Sequence, residues 1–288
     1  MQRFQALLLA VYCLSVGGKS VSRWMKRATE LQGLAHSPSK SCQGQSRFWS
    51  CVRVVPQDAC KARSKAEFGI SKRHAKTSGR PAGSTEDSDY DDQIPLVPRL
   101  SDGPGYLVMN MTEKLQQIVA WYTTVKDSSV RPEGYVDGGY LDPGSSKKGT
   151  LLVDLDHFFE KREVVQEEMH DVLEWWTRQP LQHSSTFGIR IYRRGAVLLN
   201  HVDRHDTHLA SAVLQVDQKL GKEDAGWPLE ILTKDRDCIQ VYLQPGQMVL
   251  YEGAHFKHGR PMRFQGHEYA NIFSHFAPPS WRGIHGEL

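Results

Sequence analysis

Along the second half of the chain, apolar positions first recur at helical spacing and then alternate as in strands. Over 111–125, Leu115, Ile118, Val119 and Tyr122 fall on one side of a 3.6-residue repeat, which predicts an amphipathic helix. A loop rich in Gly, Pro and Asp follows over 131–149. Asp156 then reads as the N-cap of a long helix over 157–178, with Phe158, Val165, Met169, Val172 and Trp176 on its buried stripe and Pro180 closing it. Beyond Ser185 the pattern changes to short alternating or wholly apolar runs separated by Gly, Pro and Asp. These predict strands over 186–192, 196–200, 208–216, 228–233, 239–243, 247–251 and 270–276. So many strands so closely spaced imply a sandwich or jelly roll, braced by the two helices, and not a parallel α/β sheet.

Before Tyr106 the pattern carries no sustained period. The segment is rich in Ser, Lys, Arg, Gly and Pro, and ends in an acidic patch over 86–92. Residues 18–80 hold 14 Lys and Arg against 3 Asp and Glu, a local charge of +11. The whole 288-residue chain carries only +3, so with Arg3 set aside the remainder carries −9. Such a composition buries too little apolar surface to offset backbone ordering, so residues 18–105 read as a largely disordered leader, a propeptide or a tether to acidic surfaces. At 39% hydrophobic the chain as a whole still has material for a sizeable core.

The extreme N-terminus changes the reading of that leader. Arg3 precedes an unbroken apolar run over 6–16, and small residues Ser15 and Gly17 end it, the layout of a secretory signal peptide cut after Gly17. Eleven residues make a helix of only about 17 Å, short of the roughly 30 Å hydrocarbon core, so no stable membrane span is expected. A secretory route also argues against nucleic acid as partner of the basic segment. The terminal His285-Gly286-Glu287-Leu288 is similar to receptor-read retrieval signals, with Gly286 where an acidic residue is usual. The expected location is therefore the secretory pathway, the lumen of the endoplasmic reticulum in particular. Cys42, Cys51, Cys60 and Cys238 remain after processing, and their pairing cannot be read from spacing.

Candidate chemistry sits in the strand-rich part. His201 and Asp203 lie two apart at the end of an apolar run, and in extended backbone such residues project from one face. His258, just after the run over 247–251, can supply a third ligand. Two His and one carboxylate on one side of a metal leave the opposite positions open, as in non-haem Fe(II) oxygenases. His205, His208, His255 and His275 are nearby competitors.

These residues and their surroundings resemble the prolyl 4-hydroxylase-type 2-oxoglutarate/Fe(II)-dependent dioxygenases. The resemblance runs through Tyr192-Arg193-Arg194-Gly195, His201-Val202-Asp203-Arg204 and Trp227-Pro228-Leu229-Glu230-Ile231. It continues through Pro245-Gly246-Gln247 to Tyr251-Glu252, and through His258-Gly259-Arg260-Pro261 to Tyr269, Asn271, Phe273, His275 and Pro278. It covers 187–278 closely, the helices from 106 loosely, and the leader not at all. It implies a mainly β, double-stranded β-helix (jelly roll) over 186–280, a helical support over 106–185 and a short tail over 281–288. It implies Fe(II) held by His201, Asp203 and His258, and 2-oxoglutarate and O2 as co-substrates with ascorbate assisting. Oxidative decarboxylation to succinate would be coupled to hydroxylation of a C–H bond, foremost on prolyl residues of secretory polypeptides.

One position departs from the family. A Lys or Arg is usual about ten residues after the distal His, to pair with the far carboxylate of 2-oxoglutarate, and here Glu268 stands there. Arg263 is the first replacement expected, with Arg260 and His275 in reserve, and Tyr192 matches the tyrosine of the co-substrate pocket. Glu268 also leaves open an inactive relative that binds peptides or glycans, and a small-molecule hydroxylase is a further alternative. The loop over 131–149 is the expected selector of substrate.

Overall fold

The computed structural model describes residues 21–35, 51–56, 96–133, 141–142, 149–221, 226–232 and 237–283. The signal peptide, the acidic patch, Cys42, Cys60, the loop tip over 134–140 and 143–148, and the C-terminal four residues lie outside them.

Thirteen described strands form two antiparallel sheets. They are β1 (Cys51–Pro56), β2 (Tyr106–Asn110), β3 (Val130–Pro132), β4 (Leu141–Asp142), β5 (Leu151–Val153), β6 (Gln182–Arg193) and β7 (Val197–His201). The remainder are β8 (Ala210–Lys219), β9 (Leu229–Leu232), β10 (Asp237–Tyr242), β11 (Gln247–Tyr251), β12 (His258–Arg260) and β13 (Glu268–Ala277). One sheet has the order β2-β11-β8-β13-β6-β5-β3, the other β1-β10-β9-β12-β7-β4. Face to face, they make a double-stranded β-helix. All seven strands expected in the body are present. The short β12 was not anticipated, because His258-Gly259-Arg260 carries no apolar pattern.

Period-two alternation assigns the two faces of the larger sheet. On β8 and β13, Ala210, Ala212, Leu214, Ala270, Ile272 and Phe276 join the core beneath the helices. Their neighbours Val213 and Phe273 face the other way, into the lumen, against Leu229, Ile231, Val249 and Tyr251. Burial of both faces is why β8 reads as a nearly continuous apolar run.

Two helices cover the back of this sheet: α2 (Glu113–Ser129) and α3 (Phe159–Thr177), numbered after a leader helix α1 (Val21–Leu34). Leu115, Ile118 and Tyr122 of α2 face Val165, Met169 and Val172 of α3 in the same core. Thr112 caps α2, accepting from the Leu115 amide at 3.4 Å while donating to Glu168 at 2.7 Å. At α3 the expected cap is corrected. Asp154, not Asp156, accepts the amide of Asp156 at 3.0 Å and opens a 3-10 turn over Leu155–His157, while Asp156 pairs with Arg162.

The leader also differs from expectation, because two of its stretches belong to the fold. Helix α1 buries Leu31 in the helical core, pairs Arg27 with Glu168 and Asp171, and continues to an Ala35 bridge against Met109 of β2. Strand β1 extends the smaller sheet in register with β10, Val55 opposite Cys238. Both stretches are short and bury single residues, Leu31, Val52 and Val55, that no local period reveals. Strands β2 to β5 likewise carry the sheets into the region expected to be helical support. Cys238 is disulfide-bonded. Among the described residues, no helix is long and apolar enough to cross a membrane.

Candidate metal centre

Strand β12 lies between β7 and β9, with His258 directly opposite His201 and Ile231. Antiparallel partners in direct register carry their side chains on one face, so the two imidazoles come together with ring centroids 4.7 Å apart. This close approach depends on Gly259, where a Cβ would meet Asn200 Oδ1 at 2.6 Å and the Leu198 and Leu199 carbonyls at 2.8 Å. Asp203 follows β7 by two residues, and its amide donates to the Gly253 carbonyl at 2.9 Å. Its Oδ1 then lies 3.8 Å from His201 Nε2 and 3.6 Å from His258 Nε2. His201, Asp203 and His258 offer ligand atoms all within 4.8 Å of one another, the single such cluster among the described residues.

The surroundings prepare each ligand. His201 Nδ1 meets the Leu199 carbonyl at 2.7 Å, and His258 Nδ1 meets that of Phe256 at 2.9 Å. A carbonyl only accepts, so Nδ1 of each ring carries a proton and Nε2 is the nitrogen turned toward Asp203, the orientation of a metal-ligating histidine. Burial, followed by the neighbouring His258, pushes the His201 imidazole down to about 4, so it stays neutral at ordinary pH. Burial alone would raise the Asp203 carboxyl. The imidazoles of His258, His275 and His201 outweigh that and hold it well below the usual carboxylate range. Two imidazole nitrogens and one carboxylate oxygen, buried on one side of a lumen, fit a divalent transition metal.

The competing histidines are placed elsewhere. His255 is buried against the Val97 carbonyl, and His208 stacks on His275 with ring centroids 4.0 Å apart. His275 lies in the lumen, but its Nδ1 is 2.9 Å from Ser211 Oγ and 3.7 Å from the outer oxygen of Asp203.

Beyond the ligands, the lumen holds a buried cation. Arg260 is two residues from His258 along β12, about 7 Å away, and only 1% exposed. Its guanidinium lies 5.3 Å from the Trp227 ring and 5.1 Å from the Tyr269 ring. Its one side-chain hydrogen bond is a long one of 3.4 Å to Asn271 Oδ1, and its Nε has no partner. No carboxylate of a described residue lies within ion-pair distance of it. Tyr192 shares the pocket, its ring 4.9 Å from Trp227 and its hydroxyl without a well-formed hydrogen bond. Arg190, also on the lumen side of β6, differs in that its Nε and Nη2 donate to the two oxygens of Glu133.

Arg263, the expected pocket cation, is corrected: it is exposed on the turn after β12 and donates to the Gly195 carbonyl at 3.1 Å. The departure at Glu268 disappears for a related reason. Tyr269, Asn271, Phe273 and His275 face the lumen, and Glu268 has the opposite parity. It pairs with Arg193 at 2.6 Å and Lys219 at 3.0 Å on the far side of the sheet. The helpful sequence signal was Arg260 at the same parity as His258, in a strand whose existence the pattern did not reveal.

No protein-family model matches the chain, and no curated protein is a significant relative. Solved structures are similar to it in fold. A Pseudomonas putida prolyl-4-hydroxylase is 16% identical at a TM-score of 0.38, covering 66% of this chain and 97% of its own. HygX of Streptomyces hygroscopicus, solved with nickel and 2-oxoglutarate bound, is 14% identical at 0.45, covering 63% and 86%. A prolyl hydroxylase from Trichoplax adhaerens, in complex with a peptide fragment of hypoxia inducible factor, is 10% identical at 0.41, covering 65% and 90%.

Proposed function

We propose that this chain is a 2-oxoglutarate- and Fe(II)-dependent dioxygenase that hydroxylates prolyl residues of polypeptides in the secretory pathway. The observation that carries the oxygenase reading is a combination in one lumen. Three side chains suited to Fe(II) stand beside a buried guanidinium that no carboxylate of a described residue neutralises, at the separation a short dicarboxylic acid spans. His201, Asp203 and His258 would hold the metal, which supplies activation of O2 and oxidative decarboxylation of the keto acid.

The chain's own residues do the rest. Arg260, its guanidinium against the rings of Trp227 and Tyr269, would hold the far carboxylate of 2-oxoglutarate. The Tyr192 hydroxyl donates to the same carboxylate. Trp227, Phe264 and Tyr269 line one continuous aromatic cluster around that end and exclude water, so the charge pair forms in a low dielectric. With Glu268 facing away from the lumen, the main reason for an inactive relative is removed.

The secretory reading is supported by the apolar run over 6–16, the terminal 285–288 and the disulfide at Cys238. The prolyl reading is supported by the resemblance of the site residues.

Purified protein incubated with Fe(II), ascorbate and 2-oxoglutarate is expected to release succinate and CO2. His201→Ala and Asp203→Ala should release neither. A proline-rich peptide library scored by mass spectrometry should gain 16 Da on proline. Failure to bind or decarboxylate 2-oxoglutarate would sink the oxygenase reading. Decarboxylation with hydroxylation only of non-prolyl residues or small molecules would sink the prolyl one.

A further inference from the structure

Resting on the iron-site reading above, we infer that Ser211 and His275 are positioning residues that reserve one oxygen of Asp203 for the protein, so that the carboxylate meets the metal through a single atom. Oδ1 of Asp203 is the oxygen that both ligand imidazoles approach. Oδ2 points the other way, where Ser211 Oγ lies 3.0 Å from it and His275 Nδ1 lies 3.7 Å from it. Ser211 is fully buried on β8, directly opposite His275 of β13 in the sheet.

The polarity of this chain of bonds follows from the donors. A buried carboxylate accepts only, so the Ser211 hydroxyl donates to Oδ2. Its remaining lone pairs then accept from His275 Nδ1, 2.9 Å away, which fixes that ring with its proton on Nδ1. Stacking on His208 holds the ring in plane.

The slot around Oδ2 is built to the size of one oxygen. A Cβ at Gly253 would stand 2.0 Å from Oδ2 and 2.5 Å from Ser211 Oγ, so only glycine fits there. With Oδ2 occupied in this way, the protein contributes three ligand atoms in all. An octahedral metal of about six positions keeps three, two for a chelating keto acid and one more. A carboxylate free to rotate could bind through both oxygens and take one of them. The hydroxyl of Ser211 therefore sets the number of open positions.

The test uses Co(II) as probe, in anaerobic protein with and without 2-oxoglutarate, followed by visible absorption. Wild type should bind one Co(II), and its spectrum should shift when 2-oxoglutarate chelates. Ser211→Ala should bind Co(II) at least about 10-fold more weakly or show an altered spectrum, and should lose the 2-oxoglutarate shift. Ser211→Thr, which keeps the hydroxyl, should restore wild-type behaviour. If Ser211→Ala does not give folded protein, His275→Leu reads the same loss. Wild-type affinity together with a wild-type spectrum and shift in folded Ser211→Ala or His275→Leu overturns the positioning role. No Co(II) binding by wild type overturns instead the metal reading on which it rests.

Discussion

The two sides of the larger sheet treat buried charge in opposite ways. On the helix side, Glu168 is 3% exposed and takes Thr112, Lys114 and Arg27 as partners, so each of its oxygens is matched. On the lumen side, Arg260 is buried more deeply and has no matching carboxylate among the described residues. A paired buried ion is scaffold, and removing its partner strands a charge. An unmatched one is a liability that a fold keeps where a ligand completes it.

The largest effect is expected at the ligands themselves. Asp203→Ala or His258→Ala should abolish 2-oxoglutarate decarboxylation, measured as CO2 release, while circular dichroism stays that of a folded β protein. Next, Arg260→Gln should raise KM for 2-oxoglutarate by about 10² fold, corresponding to about 2–3 kcal/mol for a charge-assisted pair. Arg260→Met should do the same and also raise the thermal midpoint of metal-free protein, because it removes an uncompensated charge. A lower midpoint would mean that Arg260 is scaffold and would break the contrast with the helix side. Glu168→Leu should behave oppositely, lowering stability by about 3 kcal/mol in denaturant titration with activity per folded molecule unchanged.

Acid should reveal the lumen as well. Burial, with Asp203 opposing, brings the His275 imidazole down to about 3, and His201 sits at about 4. Both lie below the ordinary value of about 6.5, so between these limits the unfolded chain binds more protons. Stability of metal-free protein should therefore be full above about pH 6.5 and fall as pH drops toward 4, by about 2 kcal/mol per group at pH 5. Bound Fe(II) or Co(II) should raise stability near neutral pH and carry the same slope on below pH 4, since it too requires neutral imidazoles. The smallest effect belongs to Glu268→Gln: about 1 kcal/mol or less of stability, from part-exposed pairs, and a KM for 2-oxoglutarate within about twofold of wild type.

Alternation and helical period made most of the architecture legible in the sequence, because β6, β8, β11 and β13 bury apolar residues at every second position or on both faces. The clustering of His201, Asp203 and His258 was legible because His201 and Asp203 share a strand-end parity and His258 stands in a recognisable run. What remained hidden depended on register. Counting ten residues past His258 led to Glu268, but the count ignored whether that position faces the lumen. The aromatic and polar residues at 269, 271, 273 and 275 show which parity faces inward. Arg260 stayed in reserve because β12 has no apolar repeat to announce it. In the leader, α1 and β1 are ordered through single anchors such as Leu31 and Arg27, which composition averages away.

The placement of that leader has a consequence for what the two sheets present at their edges. Ala35 bridges β2, the outermost strand of one sheet, and β1 lies along β10, which would otherwise be outermost in the other. The same N-terminal stretch thus lies against part of one sheet's edge and takes β10 off the edge of the other, where β10 would template pairing with another chain. Cutting the protein back to residue 57 should therefore show itself first as self-association in light scattering, before any change in chemistry at the metal.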